Sequence, residues 1–539
     1  SCCFTSSRRG VAHRNRSMDR HCAGFPSRTW LTRISSKRTC PSSALCSSAL
    51  TAQDSRMSRT VERIEVRNPR SGHVDFAFDA PTSDELAGRL RALRAAQTRW
   101  RRRPLEERID ILRRWRKEWV SRQDEIVGAL AEDTGRHLIA ISEVTTVAGM
   151  IDRWTALAPS LAVEEEARSA SLPNISYRSQ YVPYELVGII SPWNFPATLC
   201  FIDAIPALLA GCAVFIKPSE VTPRFVKPTL ASIAAVPELA EVLHLQPGGR
   251  QTGEQLVESV DVVCFTGSVA TGRLVAANAA RHFIPAFLEL GGNDPLIVTA
   301  SADLERATDV ALRSSCLATG QACQSIERVY VDRKIFEPFV ARLVEKAKVV
   351  EPNWPDIHQG TIGPFIFGKQ AEVVAAQIAD ALSKGARVLC GGQIEDHGGK
   401  WLRPTVLVDV DHRMSVMTEE TFGPVIPVMP FDQIEEAIRL ANEGVYGLSA
   451  GVIAGTLEEA EAIGRQIDAG GISLNDGSLT ALCHEMEKHS FKLSGLGGSR
   501  MGPAGYLRFF RRKVLIRQHG QPATIASVAE SNLSKGKTS

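Results

Sequence analysis

The amino-acid sequence predicts an α/β protein with two parallel-sheet domains. Its 539 residues, 44% of them hydrophobic, exceed what one hydrophobic core usually serves. Short β-branched runs alternate with helical segments, which predicts parallel strands covered by helices on both faces of a sheet. One series lies at 187–190, 213–216, 242–245 and 261–265, and a second begins near Pro295 and continues through 328–331, 424–429, 448–453 and 471–474. We therefore expect two α/β domains that join near Gly291-Gly292.

The two ends of the chain differ from its body. Residues 1–58 are rich in Arg and Ser and contain only Asp19 and Asp54 as acidic residues. This composition is typical of an organellar transit peptide, and translated sequence upstream of a start at Met57 explains it equally well. Either interpretation excludes residues 1–58 from the fold, and we expect residues 519–539 to form a flexible tail.

Helical stretches are predicted from about 84 to 136, after a first short strand. Apolar positions such as Ile109 and Leu112 recur there at spacings of three and four. The arginines at 101–103 are followed by Glu106 and Glu107, which indicates a solvated helix face. Because the formal net charge is only +3, we expect no nucleic-acid partner.

The longest apolar stretch, residues 187–216, is long enough to span a bilayer. Three prolines interrupt it, at positions 192, 196 and 206. Asn194 and Asp203 would also lie unpaired in lipid. The sequence therefore predicts no membrane partner.

The cysteines in the body of the chain stand singly, without a C-x-x-C pair. This pattern indicates a reduced, intracellular protein. We expect a cytoplasmic location, or an organellar matrix if residues 1–58 are a transit peptide. The cysteines concerned are Cys200, Cys212, Cys264, Cys316, Cys323, Cys390 and Cys483.

Cys323 is the most informative single residue. It ends the run Gly320-Gln321-Ala322-Cys323, just after a helical stretch, and its small neighbours leave room for a substrate. A thiol becomes a nucleophile as thiolate, in a partly exposed and electrostatically favourable pocket. Taken alone, the residue fits a buried structural cysteine better.

Glu289 ends an apolar strand that enters the glycine turn Gly291-Gly292. We expect this carboxylate to be half buried. Burial favours the protonated form of a carboxylate, as a general base near neutral pH requires. The alternative is a surface carboxylate at a strand end.

Asn194 lies in Ser191-Pro192-Trp193-Asn194-Phe195-Pro196, where a proline on each side fixes the loop after a buried strand. A fixed side-chain amide can donate hydrogen bonds to an oxyanion. An asparagine that satisfies turn backbone groups is the common alternative.

Together, the order and spacing of Asn194, Glu289 and Cys323 resemble the catalytic set of the aldehyde dehydrogenase family. The resemblance covers about residues 61–515. It implies oxidation of a small-molecule aldehyde to a carboxylate through a thiohemiacetal and a thioester on Cys323. It implies a fold of two Rossmann-like parallel-sheet domains, one for the cofactor and one for catalysis, with a small β oligomerisation arm.

The same resemblance implies NAD as cofactor, with NADP less favoured. Lys217, Ser219 and Glu220 match residues that hold the adenosine ribose, where a carboxylate repels the extra phosphate of NADP. A helix N-terminus opening after 265–268 matches the pyrophosphate site. Further matches are Trp193 beside the catalytic loop, Gly267, Ser268 and Gly272 at that helix, and Glu420 and Phe422 at the nicotinamide.

The resemblance also divides the chain. It implies a NAD-binding domain at 59–291, of which 172–186 belongs to the oligomerisation arm, and a catalytic domain at 292–476. Residues 477–518 would return to the first domain and complete the arm. We therefore expect a homodimer or homotetramer.

One segment departs from the family pattern. Many members carry Pro-Phe-Gly-Gly and then Ser-Gly-x-Gly-Arg-Glu, whereas this chain has residues 489–492 and 494–500 without that acid. The role of the segment in ordering water therefore does not transfer, and its divergence blocks transfer of a substrate. His484 and His489 are five residues apart, not the four of a helical zinc motif, and we expect no metal.

Two other functions compete with this interpretation. A CoA-acylating relative resolves its thioester with CoA, but the presence of Glu289 favours hydrolysis. A catalytically idle structural or binding protein could keep the same fold. Aldehyde-dependent formation of NADH would distinguish an enzyme from such a protein.

Overall fold

The computed structural model describes residues 62–530, so both interpretations of residues 1–58 lie outside the described part. Its strands within 62–530 are β1 (Arg63–Arg67), β2 (Val74–Asp79), β3 (Glu166–Arg168), β4 (Ile175–Pro183), β5 (Leu186–Ile190), β6 (Ala213–Lys217), β7 (Leu243–Leu245), β8 (Val262–Thr266), β9 (Ala286–Glu289), β10 (Asp294–Val298), β11 (Ile326–Asp332), β12 (Arg387–Cys390), β13 (Ile394–Asp396), β14 (Lys400–Leu402), β15 (Thr405–Val408), β16 (Val425–Phe431), β17 (Ser449–Ile453), β18 (Gly471–Leu474), β19 (Gly495–Leu496) and β20 (Phe510–Gln518).

The α-helices of the same residues connect and cover these strands. They are α1 (Ser83–Trp100), α2 (Leu105–Ser121), α3 (Gln123–Thr134), α4 (His137–Leu157), α5 (Pro196–Ala210), α6 (Val226–Ala234), α7 (Pro237–Ala240), α8 (Arg250–Ser259), α9 (Val269–Arg281), α10 (Leu304–Cys316), α11 (Phe336–Lys348), α12 (Gly368–Ser383), α13 (Ile434–Asn442), α14 (Leu457–Gly464) and α15 (Ala504–Leu507).

The first sheet has the strand order β19-β9-β8-β5-β6-β7. Its strands β5 to β9 pair in parallel, and β19 adds an antiparallel edge beside β9. β5, β6 and β8 are buried almost throughout, as expected for β-branched strands with helices on both faces. The chain runs outward from β5 through β6 and β7 and then returns to β8 on the other side of β5. In open α/β sheets, ligands bind at such a switch point, beyond the carboxyl ends of the strands.

The second sheet has the strand order β12-β15-β16-β11-β10-β17-β18. All its pairs are parallel except the antiparallel pair of β12 with β15. β10 lies between β11 and β17. A short turn of four residues, 290–293, connects β9 of the first sheet to β10. The expected α/β fold with two parallel-sheet cores is confirmed.

A separate three-stranded sheet of order β20-β4-β3 forms an arm. β20 pairs with β4 over its full length, from Phe510 opposite Pro183 to Gln518 opposite Ile175. The side chains of Val514 and Ile516 on this arm are exposed to 52% and 70%.

Hydrophobic packing follows the sheets. One core cluster joins the first sheet to the helices before it and contains four fully buried tryptophans, Trp100, Trp115, Trp119 and Trp154. Two further clusters pack on the second sheet. The helical region expected from 84 to 136 is three helices, α1 to α3, of which α1 begins with a capping box between Thr82 and Glu85. No helix among residues 62–530 is both long and apolar enough to cross a bilayer.

Candidate active site

A cleft of about 930 Å³ opens at the carboxyl ends of β5, β6, β8 and β9. The three residues from different parts of the chain that the sequence singled out for chemistry, Asn194, Glu289 and Cys323, all line it. Its lining also includes most of the expected cofactor residues: Trp193, Lys217, Ser219, Glu220, Gly267, Ser268, Glu420 and Phe422.

A tight turn places Cys323 in the cleft. Ala318, Thr319 and Gly320 all adopt left-handed backbone conformations, with φ of 54°, 64° and 66°. Ala318 and Thr319 are not glycines, so this conformation is strained, and the surrounding structure must hold it in place. A Cβ on Gly320 would lie 2.3 Å from the carbonyl oxygen of Gly423, so only glycine fits there. The turn that precedes the thiol is therefore fixed by close packing.

Asn194 follows β5 and is almost fully buried. Its Nδ2 donates a hydrogen bond to the carbonyl oxygen of Gln321, at 3.0 Å. The side-chain amide therefore contacts the loop that carries Cys323, and its other N–H has no hydrogen-bond partner among residues 62–530.

A buried arginine that the sequence analysis missed joins the two loops. Arg136 donates from Nη1 to the carbonyl oxygen of Ala318, at 3.0 Å, and from Nη2 to that of Asn194. Burial lowers the pKa of Arg136 to about 10, so the guanidinium stays charged at neutral pH. It therefore holds the loop of Asn194 and the turn before Cys323 in one arrangement.

Glu143 lies on α4, the helix that begins directly after Arg136. Its Oε2 accepts hydrogen bonds from the backbone N–H groups of Ala197 and Thr198, both at 3.0 Å, in the first turn of α5. Burial raises the pKa of Glu143 to about 7, and the charge of Arg136 opposes this shift. A carboxylate at a helix N-terminus satisfies N–H groups that have no partner within the helix.

Glu289 ends β9 and is half-buried. Its backbone carbonyl accepts a hydrogen bond from the N–H of Gly267, at 3.1 Å, and its residue pairs with Gly495 of β19. Its Oε2 accepts a hydrogen bond from the hydroxyl of Ser490, at 3.0 Å. The carboxylate therefore lies at the edge of the first sheet and faces the same cleft as Cys323.

Cys323 is partly exposed in the cleft, but its surroundings disfavour the thiolate. Burial of the sulfur raises the pKa of Cys323 to about 12, and the carboxylates of Glu420 and Asp294 act in the same direction. The ammonium of Lys488 opposes them. At neutral pH the thiol is therefore protonated, and its use as a nucleophile requires a base to accept the proton.

The residues after β6 form one part of the expected cofactor region. Lys217 is buried, and its Nζ lies 3.2 Å from Oε2 of the more exposed Glu220. The hydroxyl of Ser219 accepts a hydrogen bond from the N–H of Val221, at 3.2 Å. A carboxylate and an ammonium thus stand side by side at the carboxyl end of β6.

The residues after β8 form a second part. The hydroxyl of Ser268 accepts from the N–H of Thr271, at 3.3 Å, and so caps the N-terminus of α9. Gly267 precedes this cap in the cleft lining. Gly272 lies one turn into α9 and outside the lining, where a Cβ would be 2.5 Å from Cδ2 of Leu290. Its small size allows the helix to approach Leu290 closely.

A loop at 420–422 closes the cleft from the side of the second sheet. Glu420 accepts a hydrogen bond at Oε1 from the N–H of Gly292, at 3.1 Å. Phe422 has a left-handed backbone, with φ of 54°, and its ring meets that of Trp193 edge to face, with centroids 5.4 Å apart. Each domain therefore contributes one aromatic wall of the cleft.

Glu327 holds this loop, and the sequence analysis missed it. Its buried carboxylate accepts hydrogen bonds from the backbone N–H groups of Thr421 and Phe422, at 2.8 and 2.7 Å. Burial raises the pKa of Glu327 and of Glu420. The charged pair Glu327-Arg328 inside a buried, β-branched strand is a signal that could have revealed it. Arg136, Glu143 and Ser490 carry no such signal.

Among the described residues, no group of three or more His, Cys, Asp or Glu side chains is arranged as a metal site. Within the same range, all seven cysteines are free, and Cys483 donates to Glu485 rather than to a histidine.

The cleft lies at the switch point of a parallel sheet, where α/β folds bind dinucleotides, and a second α/β domain presents a thiol to it. This arrangement is typical of the class of two-domain α/β dehydrogenases. A model of the aldehyde dehydrogenase family matches residues 56–515, and the chain belongs to this family. It oxidises aldehydes to carboxylic acids with a nicotinamide dinucleotide, NAD(P), as acceptor.

Individual relatives agree with this assignment. A solved structure from Anabaena variabilis, provisionally called aldehyde dehydrogenase PutA, is 50% identical and covers 86% of this chain and 99% of its own, with a TM-score of 0.84. Lactaldehyde dehydrogenase from Escherichia coli is 32% identical and covers 85% of this chain and 96% of its own, with a TM-score of 0.81. A protein of Mycolicibacterium smegmatis with the provisional name succinate-semialdehyde dehydrogenase [NADP(+)] is 34% identical over 85% of this chain and 88% of its own.

Proposed function

We propose that Cys323 is the nucleophile, Glu289 the general base and Asn194 the oxyanion donor of this aldehyde dehydrogenase. The observation that carries the proposal is that these three residues, far apart in sequence, line one cleft. The thiol first gives its proton to a base, for which Glu289 provides a carboxylate in the same cleft. The thiolate then attacks the aldehyde carbon and forms a C–S bond, and the oxygen becomes an oxyanion.

The oxyanion receives hydrogen bonds from the free N–H of the Asn194 amide and from the backbone N–H of Cys323. A nicotinamide dinucleotide bound in the cleft would supply the acceptor for the hydride that leaves the same carbon. Return of the oxyanion electrons to a carbonyl leaves a thioester on Cys323. Glu289 releases the proton of the thiol to solvent and then takes a proton from a water molecule while the oxygen of that water attacks the thioester. The C–S bond breaks, and the thiolate and the carboxylic acid separate.

The residues around the cleft fit such a dinucleotide. The capped N-terminus of α9, with Gly267 and Ser268, offers backbone N–H groups and a positive dipole end for a pyrophosphate. We assign Lys217, Ser219 and Glu220 to the adenosine ribose, and Trp193, Glu420 and Phe422 to the nicotinamide end. Gly272 would serve by letting α9 pack against Leu290.

We propose NAD rather than NADP as the preferred cofactor. Glu220 carries a partly exposed carboxylate in the cleft, where it can accept hydrogen bonds from free ribose hydroxyls and repel an added phosphate. The ion pair with Lys217 weakens this repulsion, so the preference is moderate. The provisional name of the Mycolicibacterium relative specifies NADP, and cofactor choice is therefore a sharp test of Glu220.

We further propose that residues 59–291 act as the NAD-binding domain and 292–476 as the catalytic domain, with 477–518 returning to the first sheet and the arm. The exposed apolar side chains of β20 suit burial in a homodimer or homotetramer. The free cysteines support a cytoplasmic location.

The central assignment is tested by Cys323→Ser. This variant should lose aldehyde-dependent reduction of NAD while its affinity for NAD, measured by calorimetry, stays as in the unchanged protein, because a hydroxyl is a far weaker nucleophile. Cys390→Ser is the matched control, since its thiol only donates weakly to the carbonyl of Pro404 outside the cleft. Substantial turnover by Cys323→Ser would assign the nucleophile to another residue.

A further inference from the structure

A short segment, residues 490–496, connects the edge of the first sheet to the turn before β17 of the second; we call it the strap. On the first sheet, Gly495 and Leu496 form β19 beside β9, and the N–H of Leu290 donates to the carbonyl of Ser494, at 2.8 Å. Toward the second sheet, the strap binds the turn before β17. Its bonds there are Phe491 N to Gly447 O at 2.9 Å, Leu493 N to Val445 O at 2.9 Å and Gly447 N to Ser494 Oγ at 2.9 Å.

The first residue of the strap reaches the proposed base. The hydroxyl of Ser490 donates to Oε2 of Glu289, at 3.0 Å. Within residues 62–530, no other side chain donates a hydrogen bond to this carboxylate. Ser490 itself is packed tightly, because a Cβ on Gly495 would lie only 2.7 Å from the Cβ of Ser490. The direction of the hydroxyl therefore follows from the position of the strap.

We propose that Ser490 is a positioning residue for Glu289, and this inference rests on the proposed role of Glu289 as the general base. The hydrogen bond engages Oε2 and selects one orientation of the carboxylate. Oε1 is then the oxygen that receives the proton of the attacking water.

The strap that carries Ser490 is bound on both sides of the cleft. The same seven residues are bound to the loop that leads into β17, in the second sheet, and to β9, in the first. The proposed base is attached to the first sheet, whereas Cys323 follows α10, next to the second. Ser490 thus sets the orientation of the base from a segment that is fixed to both sides of the cleft.

The test is Ser490→Ala, with rapid-mixing kinetics that separate the first turnover from the steady state. The burst of NADH reports attack and oxidation, and the later slow phase reports hydrolysis of the thioester. We expect hydrolysis to slow about tenfold, the usual cost of losing a hydrogen bond to a charged group. The burst rate should fall less, because the contact orients Oε1 toward the attacking water.

Two variants serve as controls. Ser490→Thr keeps the hydroxyl and should restore hydrolysis. Lys492→Met removes the bond from the exposed Lys492 ammonium to the carbonyl of Asn442, at 2.6 Å, and leaves Ser490 and the backbone hydrogen bonds that hold the strap in place. Its kinetics should equal those of the unchanged protein.

Hydrolysis in Ser490→Ala at the rate of the unchanged protein would overturn the inference. So would an equal loss in Ser490→Ala and Lys492→Met, which would assign the effect to the strap as a whole. Glu289→Gln distinguishes the two proposals. If Glu289→Gln hydrolyses its thioester normally, the base is assigned wrongly; if only Ser490→Ala is normal, the base stands and the positioning role does not.

Discussion

Removal of Arg136 tests how the two loops of the active site are held together. In Arg136→Met the carbonyls of Ala318 and Asn194 lose their donors, and Glu143 keeps a buried carboxylate without its nearby cation. A hydrogen bond to a charged group contributes about 1.5–3 kcal/mol, so two of them contribute roughly 3–6 kcal/mol to the free energy of unfolding. A chain of this size gains about 1 kcal/mol/K of entropy on unfolding, and Tm should therefore fall by about 4 °C.

In Arg136→Met the loss of activity should exceed what the loss of stability alone would cause. Asn194 and the turn before Cys323 lose their common anchor, and a displacement of about 1 Å in such a site can lower the rate roughly 100-fold. The assay is kcat/KM for aldehyde oxidation together with thermal unfolding followed by circular dichroism. Addition of Glu143→Gln to Arg136→Met should recover part of the lost stability, because the uncompensated carboxylate is then neutral.

Arg108→Met is the matched control. Arg108 is also buried, burial lowers its pKa, and it donates from Nε to the carbonyl of Leu209 at 3.0 Å, away from the cleft. It should lose a comparable amount of stability and keep its kcat/KM. If Arg136→Met and Arg108→Met lose activity in the same small proportion, Arg136 stabilises the fold without positioning the site.

Two further predictions concern the thiol and the cofactor. Because burial raises the pKa of Cys323 to about 12, alkylation of the free enzyme by iodoacetamide should rise about tenfold per pH unit from pH 7 to about pH 10, since the thiolate fraction does so below the pKa. Lys488→Met should slow alkylation at each pH, and a plateau near pH 8 would contradict the buried thiol. The unchanged protein should prefer NAD over NADP by roughly tenfold or more in kcat/KM, about 1.4 kcal/mol, and Glu220→Ser should narrow the gap by improving use of NADP. Equal or better activity of the unchanged protein with NADP would refute the role of Glu220.

Most parallel strands of both sheets could be predicted from the sequence because a parallel strand buried on both faces is a continuous apolar run, whereas β12, β15 and β19 were missed. β5 and β17, for example, were expected at 187–190 and 448–453 and lie at Leu186–Ile190 and Ser449–Ile453. The sequence predicted that the region before these strands is helical, but not where it divides into α1, α2 and α3, because the ends of helices depend on caps and tertiary contacts.

For the site, the residue types and their order along the chain predicted Asn194, Glu289 and Cys323, because each combines a chemical function with a local turn or strand end. The sequence by itself therefore determined the fold class, the family and the candidate chemistry. Only the tertiary structure decided what surrounds these groups. Arg136 contacts Ala318 across 182 positions and Ser490 contacts Glu289 across 201, and such long-range contacts depend on how whole elements pack, which no local pattern encodes.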